Sequence, residues 1–535
     1  MKSRWLAILG AAASALFTFA AFPPVNFSLL AWICLVPLLV GIDRLRPWQA
    51  ALVAFLYGAA YAGLYLHWVS VIPGFPALAY PLVVAYIALY YAAFGVVYVR
   101  CKRDLPVPMV LLAPLLWVAF EFVRVNAGFL AVPGGVLGHT QYREIPIIQV
   151  ASLASAYGVS FIIVAANAAL TQLLLWIIEG RHPSGTRQVS AGRVVTSAML
   201  TLAVVVLVYA WGMARIAQYA GNERPLMKAA VIQGNISQQD KTDYRRYQGV
   251  LDTHLSLSRA VVGKSPDLII WPETAVPGYL RVTSAGSRAI LDLADELDTP
   301  LLLGSSTSTK VADKKQVNRE LRNTAFLVDK HASIVAEYDK QFLVPFSEYI
   351  PMEGRVPWPS WLTGERDSYK VGNASTIFEL DGTAFGNVIC WEGLFPEPFR
   401  YFVKQGAQFM VNLTNEAWFD GSQAPRQFLA MTVFRAVENG VSVIRSANTG
   451  ISALIDPTGR IRAKIADDDG NDLMVAGTMT VDVPAPMAMT FYTRYGDVFA
   501  ILCVILGTFV TLAALLPVWL RRGLLPKRAA PDIAE

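Results

Sequence analysis

Two patterns of apolar and polar positions share this chain. Residues 1–214 are dominated by long apolar runs separated by short loops. The runs fall at about 5–22, 27–42, 48–71, 78–99, 106–124, 157–178 and 194–214, and an eighth at about 496–519. Most approach the roughly 20 residues that cross a bilayer core as a helix. Residues 215–495 read differently. Short β-rich runs at 227–235, 267–273, 300–304, 323–328, 334–338, 409–413 and 441–445 are followed by turns, and helical stretches lie near 241–263 and 426–439. Strands alternating with helices suggest a layered α/β domain. The predicted organisation is therefore membrane helices over 1–214, a folded domain over 215–495, a last helix at 496–520 and a tail at 521–535.

Charge placement orients this scheme. From 47 to 99 there is no Asp, Glu, Lys or Arg. Basic residues gather in alternate loops: Lys2 and Arg4, then Arg44 and Arg46, then Arg100, Lys102 and Arg103, then Arg181, Arg187 and Arg193, and last Arg521, Arg522, Lys527 and Arg528. The loops near Pro23-Pro24 and 72–76 carry none. The positive-inside rule then places both termini in the cytoplasm and the α/β domain outside. The start resembles a signal peptide, but the apolar runs that follow at once favour an uncleaved first helix. The loop of about 125–156 also falls outside, where His139 reads as a solvated residue. Glu121 and Arg124, three apart on a helix, are spaced to pair.

Composition agrees with a membrane protein: 54% of the 535 residues are hydrophobic and 16% are charged. The net charge of +5 is explained by the loops and gives no reason to invoke nucleic acid. Of four cysteines, Cys34 and Cys503 fall in apolar runs, Cys101 falls in a basic loop, and Cys390 is alone in the α/β domain. That excludes a disulfide framework there, and no zinc-ligand spacing is present.

Cys390 follows a β-rich run and precedes a Pro- and Phe-rich turn. A lone cysteine in a strand is more often a core residue. Two others change the weighing. Glu273 ends the run Leu268-Ile269-Ile270-Trp271-Pro272, and Lys340 follows the hairpin of 323–338. Together they supply a nucleophile, a base and a cation for an oxyanion. A carboxylate that takes a thiol proton needs a buried setting.

These residues carry a resemblance. Trp271-Pro272-Glu273, the run from Lys340 to Glu348, and Cys390-Trp391-Glu392 resemble the Glu, Lys and Cys signatures of the nitrilase (carbon–nitrogen hydrolase) superfamily. With apolar runs on both sides, nearly the whole chain resembles the apolipoprotein N-acyltransferases. The resemblance implies an αββα sandwich domain joined to a multi-pass helical membrane domain of about eight spans. It implies catalytic Glu273, Lys340 and Cys390, with Glu348, Trp391 and Glu392 in support. It implies a phospholipid acyl donor, a diacylglyceryl-modified apolipoprotein acceptor and a bacterial inner-membrane setting, with no metal or organic cofactor. Gln233-Gly234-Asn235, Asn412, Asn415, Trp418, Gln427, Arg435, Glu438, Arg445, Asn448 and Gly450 also match. Thr242, Glu416 and Phe428 depart from the pattern.

The stretch 344–367 is Pro-broken and aromatic. Phe346, Tyr349, Trp358 and Trp361, with Trp418 beyond it, suit a lid dipping into the bilayer interface, or equally a packed surface loop. Two other functions fit the same residues. A membrane-tethered amidase or nitrilase would use water as acceptor, and a non-catalytic paralogue would only bind lipid or lipoprotein. A transporter fits poorly, because charges inside the apolar runs are few.

Overall fold

The computed structural model describes residues 2–181, 190–275, 278–280, 284–313, 316–364, 368–419 and 421–516. The tail of 521–535, the last part of the eighth run and Arg187 lie outside the described residues.

Among these residues, Ala79–Asp104, Ala151–Ile178, Ala191–Ala220 and Val498–Leu515 are long and apolar enough to cross a membrane, and Trp5–Ala21 is a shorter apolar helix. Pro47–Tyr65 and Met109–Val125 complete the bundle. Small residues set the closest approach. A Cβ on Gly58 would lie 2.9 Å from the Ala88 Cα, and one on Gly95 would lie 2.7 Å from the Ala50 carbonyl. Glycine there lets Pro47–Tyr65 and Ala79–Asp104 touch backbone to backbone.

The second run departs from expectation. Ser28–Trp32 is a 3-10 turn and Val36–Ile42 a separate seven-residue helix. At about 1.5 Å per residue, a helix that short cannot cross a bilayer core. Asn167 makes the break tolerable. Its side chain accepts from the Leu35 N–H at 2.8 Å and donates to the Ala31 carbonyl at 2.8 Å, satisfying backbone groups the break frees. Cys34 therefore sits in a turn, while Cys101 lies buried on the helix Ala79–Asp104.

The loop of 125–156 is not solvated as read. His139 is 2% exposed in the 3-10 turn Leu137–Gln141, with its ring edge-on to Phe434 at 5.0 Å. The cause is Glu121, whose carboxylate accepts from the Leu137 N–H at 2.7 Å and the Trp117 indole at 2.9 Å. Ser160 accepts from the Gly138 N–H. Arg124 donates instead to the Val132 and Gly134 carbonyls. Both charged residues thus fold the loop inward, each with its own partners.

The α/β domain holds two six-stranded sheets. The strands are β1 (Pro225–Gln233), β2 (Leu268–Ile270), β3 (Leu301–Asp313), β4 (Gln316–Val328), β5 (Ile334–Asp339), β6 (Phe378–Leu380), β7 (Thr383–Ile389), β8 (Phe409–Thr414), β9 (Ser442–Ala447), β10 (Ala453–Ile455), β11 (Ile461–Lys464) and β12 (Gly477–Pro484). Their orders are β12-β1-β2-β3-β4-β5 and β11-β10-β9-β8-β7-β6. The central strands β1-β2-β3 and β7-β8-β9 run parallel. Parallel strands require cover on both faces, and every residue of β8 and β9 is buried. Alternation sorts the first sheet. Ala229, Val231, Leu268, Ile270 and Leu302 join the large shared core. Ala230, Ile232, Ile269, Leu301 and Leu303 face a second cluster with Leu251, Leu255, Ile290 and Leu293, from the helices Tyr247–Val261 and Ala285–Leu297. Pro396–Lys404 and Ala424–Asn439 pack on the second sheet. The result is the αββα layering expected.

The two parts meet at Trp68, in the 3-10 turn after Pro47–Tyr65. Its ring stands edge-on to Phe419 (5.2 Å) and Phe428 (5.4 Å), and its indole N–H donates to Gln427 at 3.0 Å. Gln423 and Gln427 also donate to the Leu64 and Tyr65 carbonyls, which a helix C-terminus leaves without intrahelical partners. Trp68→Ala removes this buried contact and should destabilise the detergent-solubilised protein by about 3 kcal/mol. Trp361→Ala, at a side chain 44% exposed, should stay within about 0.5 kcal/mol. Thermal unfolding followed by tryptophan fluorescence measures both.

Candidate active site

Each site residue lies just past the end of a strand. After β2 the chain passes through Trp271, which is fully buried and donates its indole N–H to Ser258 at 2.8 Å. Pro272 and Glu273 follow. Gly304 on β3 admits this turn, because a Cβ there would lie 2.7 Å from the Glu273 Cα. The Glu273 carboxylate, 5% exposed, is held from two sides: Oε1 accepts from the Asn323 amide at 2.7 Å, and Oε2 from the Asn415 backbone N–H at 2.8 Å.

Lys340 follows β5. Its backbone N–H donates to the Asn323 carbonyl, and its carbonyl accepts from Gly372. The side chain is 1% exposed, with Nζ 2.8 Å from Glu348 Oε1 and 3.7 Å from Glu273 Oε1. Glu348 Oε2 accepts in turn from the Val344 N–H, so the start of the aromatic stretch is tied to the site.

Cys390 follows β7 with a left-handed φ of 51°, which costs a non-glycine residue strain and recurs at functional positions. The 3-10 turn Cys390–Leu394 begins there. Glu392, two residues on, is fully buried. Its Oε1 accepts from the Tyr338 hydroxyl (2.8 Å) and the Gln341 and Phe342 N–H groups (2.7 and 3.0 Å), and its Oε2 from the Ile389 N–H (2.7 Å). One carboxylate thereby joins the residue before Cys390 to the residues after Lys340.

Burial pushes the Cys390 thiol up to about 12. The Glu273 carboxylate adds to this, Lys340 opposes it, Glu348 adds again, and a hydrogen bond with Thr414 opposes it. The free thiol is therefore protonated at neutral pH. Burial pulls the Lys340 ammonium down, but Glu348 and Glu273 outweigh it and its proton is held more tightly than an ordinary lysine's.

The structure brings Glu273, Lys340, Cys390, Glu348 and Glu392 together. Trp391 is half-buried, with its ring near Phe395. In the aromatic stretch, Trp358 donates to the Pro351 carbonyl and stands edge-on to Phe346 (5.1 Å) and Phe129 (6.3 Å). The Tyr349 carbonyl accepts from the Phe346 N–H. Trp361 and Trp418 are exposed at 44% and 41%. Residues 365–367 of this stretch lie outside the described residues. A cleft of about 350 Å³ on the membrane-helix side is lined by Pro24, Glu416, Phe419, Gln423, Arg426 and Met474, among others, and none of Glu273, Lys340 or Cys390 lines it.

The departures have structural explanations. Glu416 forms a buried ion pair with Arg445; a Cβ on Gly450 would overlap its carboxylate. Phe428 joins the Trp68 contact. Thr242 ends a short helix, its hydroxyl bonded to the Gln238 and Gln239 carbonyls. Asn323 and Tyr338 were not legible as site residues. Their only signal is register, since Asn323 lies one ladder step beyond the Thr324–Asp339 pair.

A carboxylate, an ammonium and a thiol just past strand ends in an αββα sandwich are the arrangement of a carbon–nitrogen hydrolase, and residues 228–485 match that family. Residues 14–169 match the apolipoprotein N-acyltransferase N-terminal domain. A Geobacter metallireducens protein named apolipoprotein N-acyltransferase is 35% identical over 496 residues, covering 90% of each chain. A Chlorobaculum tepidum protein of the same name is 28% identical over 529 residues, covering 93% of this chain and 94% of its own. An amidase from Nesterenkonia sp. of solved structure aligns over 49% of this chain and 91% of its own, at 20% identity and TM-score 0.34. The chain belongs to the apolipoprotein N-acyltransferase family.

Glu392→Ala leaves a hydroxyl and three backbone N–H groups without their acceptor. Unsatisfied buried donors cost about 1–3 kcal/mol each. Some will find water, so a loss on the order of 3 kcal/mol is expected, read as a lower unfolding midpoint. Cys390 alkylation in the folded variant should change its rate, because the strand end that presents the thiol is released.

Proposed function

We propose that this protein transfers an acyl chain from a phospholipid to the α-amine of the N-terminal diacylglyceryl-cysteine of apolipoproteins, through a thioester on Cys390. The observation that carries the reading is the enclosed Glu273, Lys340 and Cys390 cluster on a domain sealed to apolar helices at Trp68. A soluble amide substrate does not require that junction; a bilayer lipid does. The membrane is the bacterial inner membrane. Residues 1–214 and 496–520 belong to it, both termini are cytoplasmic, and residues 215–495 lie on the outer side.

In the first half-reaction, Glu273 takes the Cys390 proton as sulfur attacks the donor ester. The protonated thiol makes this transfer part of the attack. The tetrahedral oxyanion is held by the Lys340 ammonium and a backbone N–H near Trp391. Glu273 returns the proton to the departing glycerol oxygen, so lysophospholipid leaves and the thioester stays. In the second half, the acceptor amine attacks the thioester carbon. Glu273 takes a proton from the attacking nitrogen and returns it to the sulfur as the C–S bond breaks. Water must be kept out between the halves. The stretch carrying Phe346, Tyr349, Trp358 and Trp361 is the cover, with Trp418 beside the entrance. Glu348 and Glu392 hold Lys340 and Cys390 in place.

Purified protein incubated with phosphatidylethanolamine should gain an acyl mass on Cys390 that hydroxylamine removes. A diacylglyceryl-cysteine peptide should discharge it as the N-acyl amide. Cys390→Ala should show no adduct. An adduct lost equally fast to water, with or without peptide, would mark a hydrolase and overturn the proposal; binding of the lipopeptide with no adduct would mark a non-catalytic protein.

A further inference from the structure

A second lysine lies beside the catalytic residues, and the mechanism above does not use it. Lys241 lies in the last turn of the short helix Gln238–Thr242, whose start is capped by the Ser237 hydroxyl. Its Nζ donates to the Glu273 carbonyl at 3.1 Å and to the Thr274 hydroxyl at 3.0 Å. Both partners are neutral. Among the described residues, the ion pairs within 4.0 Å include Lys340 with Glu348 and Glu273 but none to Lys241. An ammonium has three donors, and two are accounted for. The third has no protein acceptor among the described residues.

The charge of the site explains what that donor is for. Glu273 and Glu348 are carboxylates, and Lys340 is already placed between them. Lys241 aside, these side chains set one cation against two anions. A phospholipid brings another negative charge, on the phosphate a few bonds from the ester to be cleaved. Lys340 has no charge to spare for it. Lys241 does, and it is anchored to the residue that acts on the thiol. We propose that Lys241 binds the phosphodiester of the acyl donor and so makes the enzyme selective for phospholipid over a phosphate-free glyceryl ester. This rests on the acyltransferase reading and adds the donor's recognition element to it.

Two consequences separate this role from a structural one. The acceptor's diacylglyceryl group carries no phosphate, so Lys241 acts in the first half-reaction. The role also requires its charge. Burial pushes the Lys241 ammonium down to about 8, opposed by the Glu273 and Cys390 charges. His254, from the helix Tyr247–Val261, is driven neutral by burial and adds no positive charge. The free enzyme therefore loses this cation as pH rises through about 8, while Lys340, held higher, stays charged.

The test measures acylation of Cys390 from phosphatidylethanolamine and from diacylglycerol, which presents the same ester without phosphate. Wild type should prefer the phospholipid, with its donor KM rising above pH 8. Lys241→Met should lose the preference roughly tenfold or more, the scale of a lost charge-assisted hydrogen bond. Aminolysis of preformed thioester should change by less than about threefold. Lys241→Arg keeps the charge at all working pH; it should restore the preference and abolish the rise above pH 8. Equal losses on both donors, failure of arginine to rescue, or a wild type without preference would each overturn the assignment. Absence of any thioester in wild type, from either donor, would instead defeat the acyltransferase reading.

Discussion

The Glu392 carboxylate is the contact on which the rest of the site depends. It gathers four donors from two different sheets: Tyr338, Gln341 and Phe342 around the end of β5, and Ile389 at the end of β7. Facing sheets are joined by apolar side chains, which fix the distance between layers but tolerate sliding. Hydrogen bonds are directional and do not tolerate it. Glu392 therefore converts a layered core into a fixed relation between a thiol and an ammonium. Burial raises its own proton affinity, and the Phe342, Ile389 and Gln341 N–H groups pull it back. The bonds that hold the brace together are thus the ones that oppose this rise.

Electrostatics then sets how the thiol reacts. Reactive cysteines in many sites are thiolates, stabilised by a nearby positive charge. Among the described residues, the cation in direct contact with the carboxylates, Lys340, is shared between Glu273 and Glu348, and the Cys390 proton is held tightly. A standing thiolate beside two carboxylates would repel them. A neutral thiol does not, and it resists oxidation and adventitious alkylation while the site waits. In the proposed reaction Glu273 therefore acts during bond formation. Its two bonds, from Asn323 and the Asn415 N–H, fix its direction for that transfer.

Much of this was legible in the sequence. Apolar runs located the helical part, and β-rich runs separated by turns gave the α/β domain. The Glu273, Lys340 and Cys390 strings were readable because each follows an apolar strand. Other features depend on contacts between distant residues. The break at 33–35 is tolerated because Asn167, over a hundred positions away, satisfies it. His139 is buried because Glu121 folds its loop inward. A local reading of an apolar run or of a glycine-rich loop cannot show either. Asn323 and Tyr338 were missed for the same reason: their roles come from strand pairing and from a carboxylate in the other sheet. Glu416 and Phe428, which departed from the family pattern, have partners in Arg445 and Trp68.

The junction at Trp68 shows what attaches this sandwich to a membrane. A helix that ends near the interface leaves carbonyls exposed, and water could solvate them. In this chain Gln423 and Gln427 of the α/β domain take that place for Leu64 and Tyr65, and the Trp68 ring fills the space between Phe419 and Phe428. The helix Ala424–Asn439, which carries Gln427 and is preceded by Gln423, follows the loop of Asn415, whose N–H holds Glu273. Only a short stretch of chain therefore separates this contact from the N–H that holds Glu273. A flexible tether would hold the domain near the bilayer without fixing the height of its thiol. Direct capping of a helix end fixes both position and orientation, and the acyl transfer proposed here, from a lipid in the bilayer, requires both.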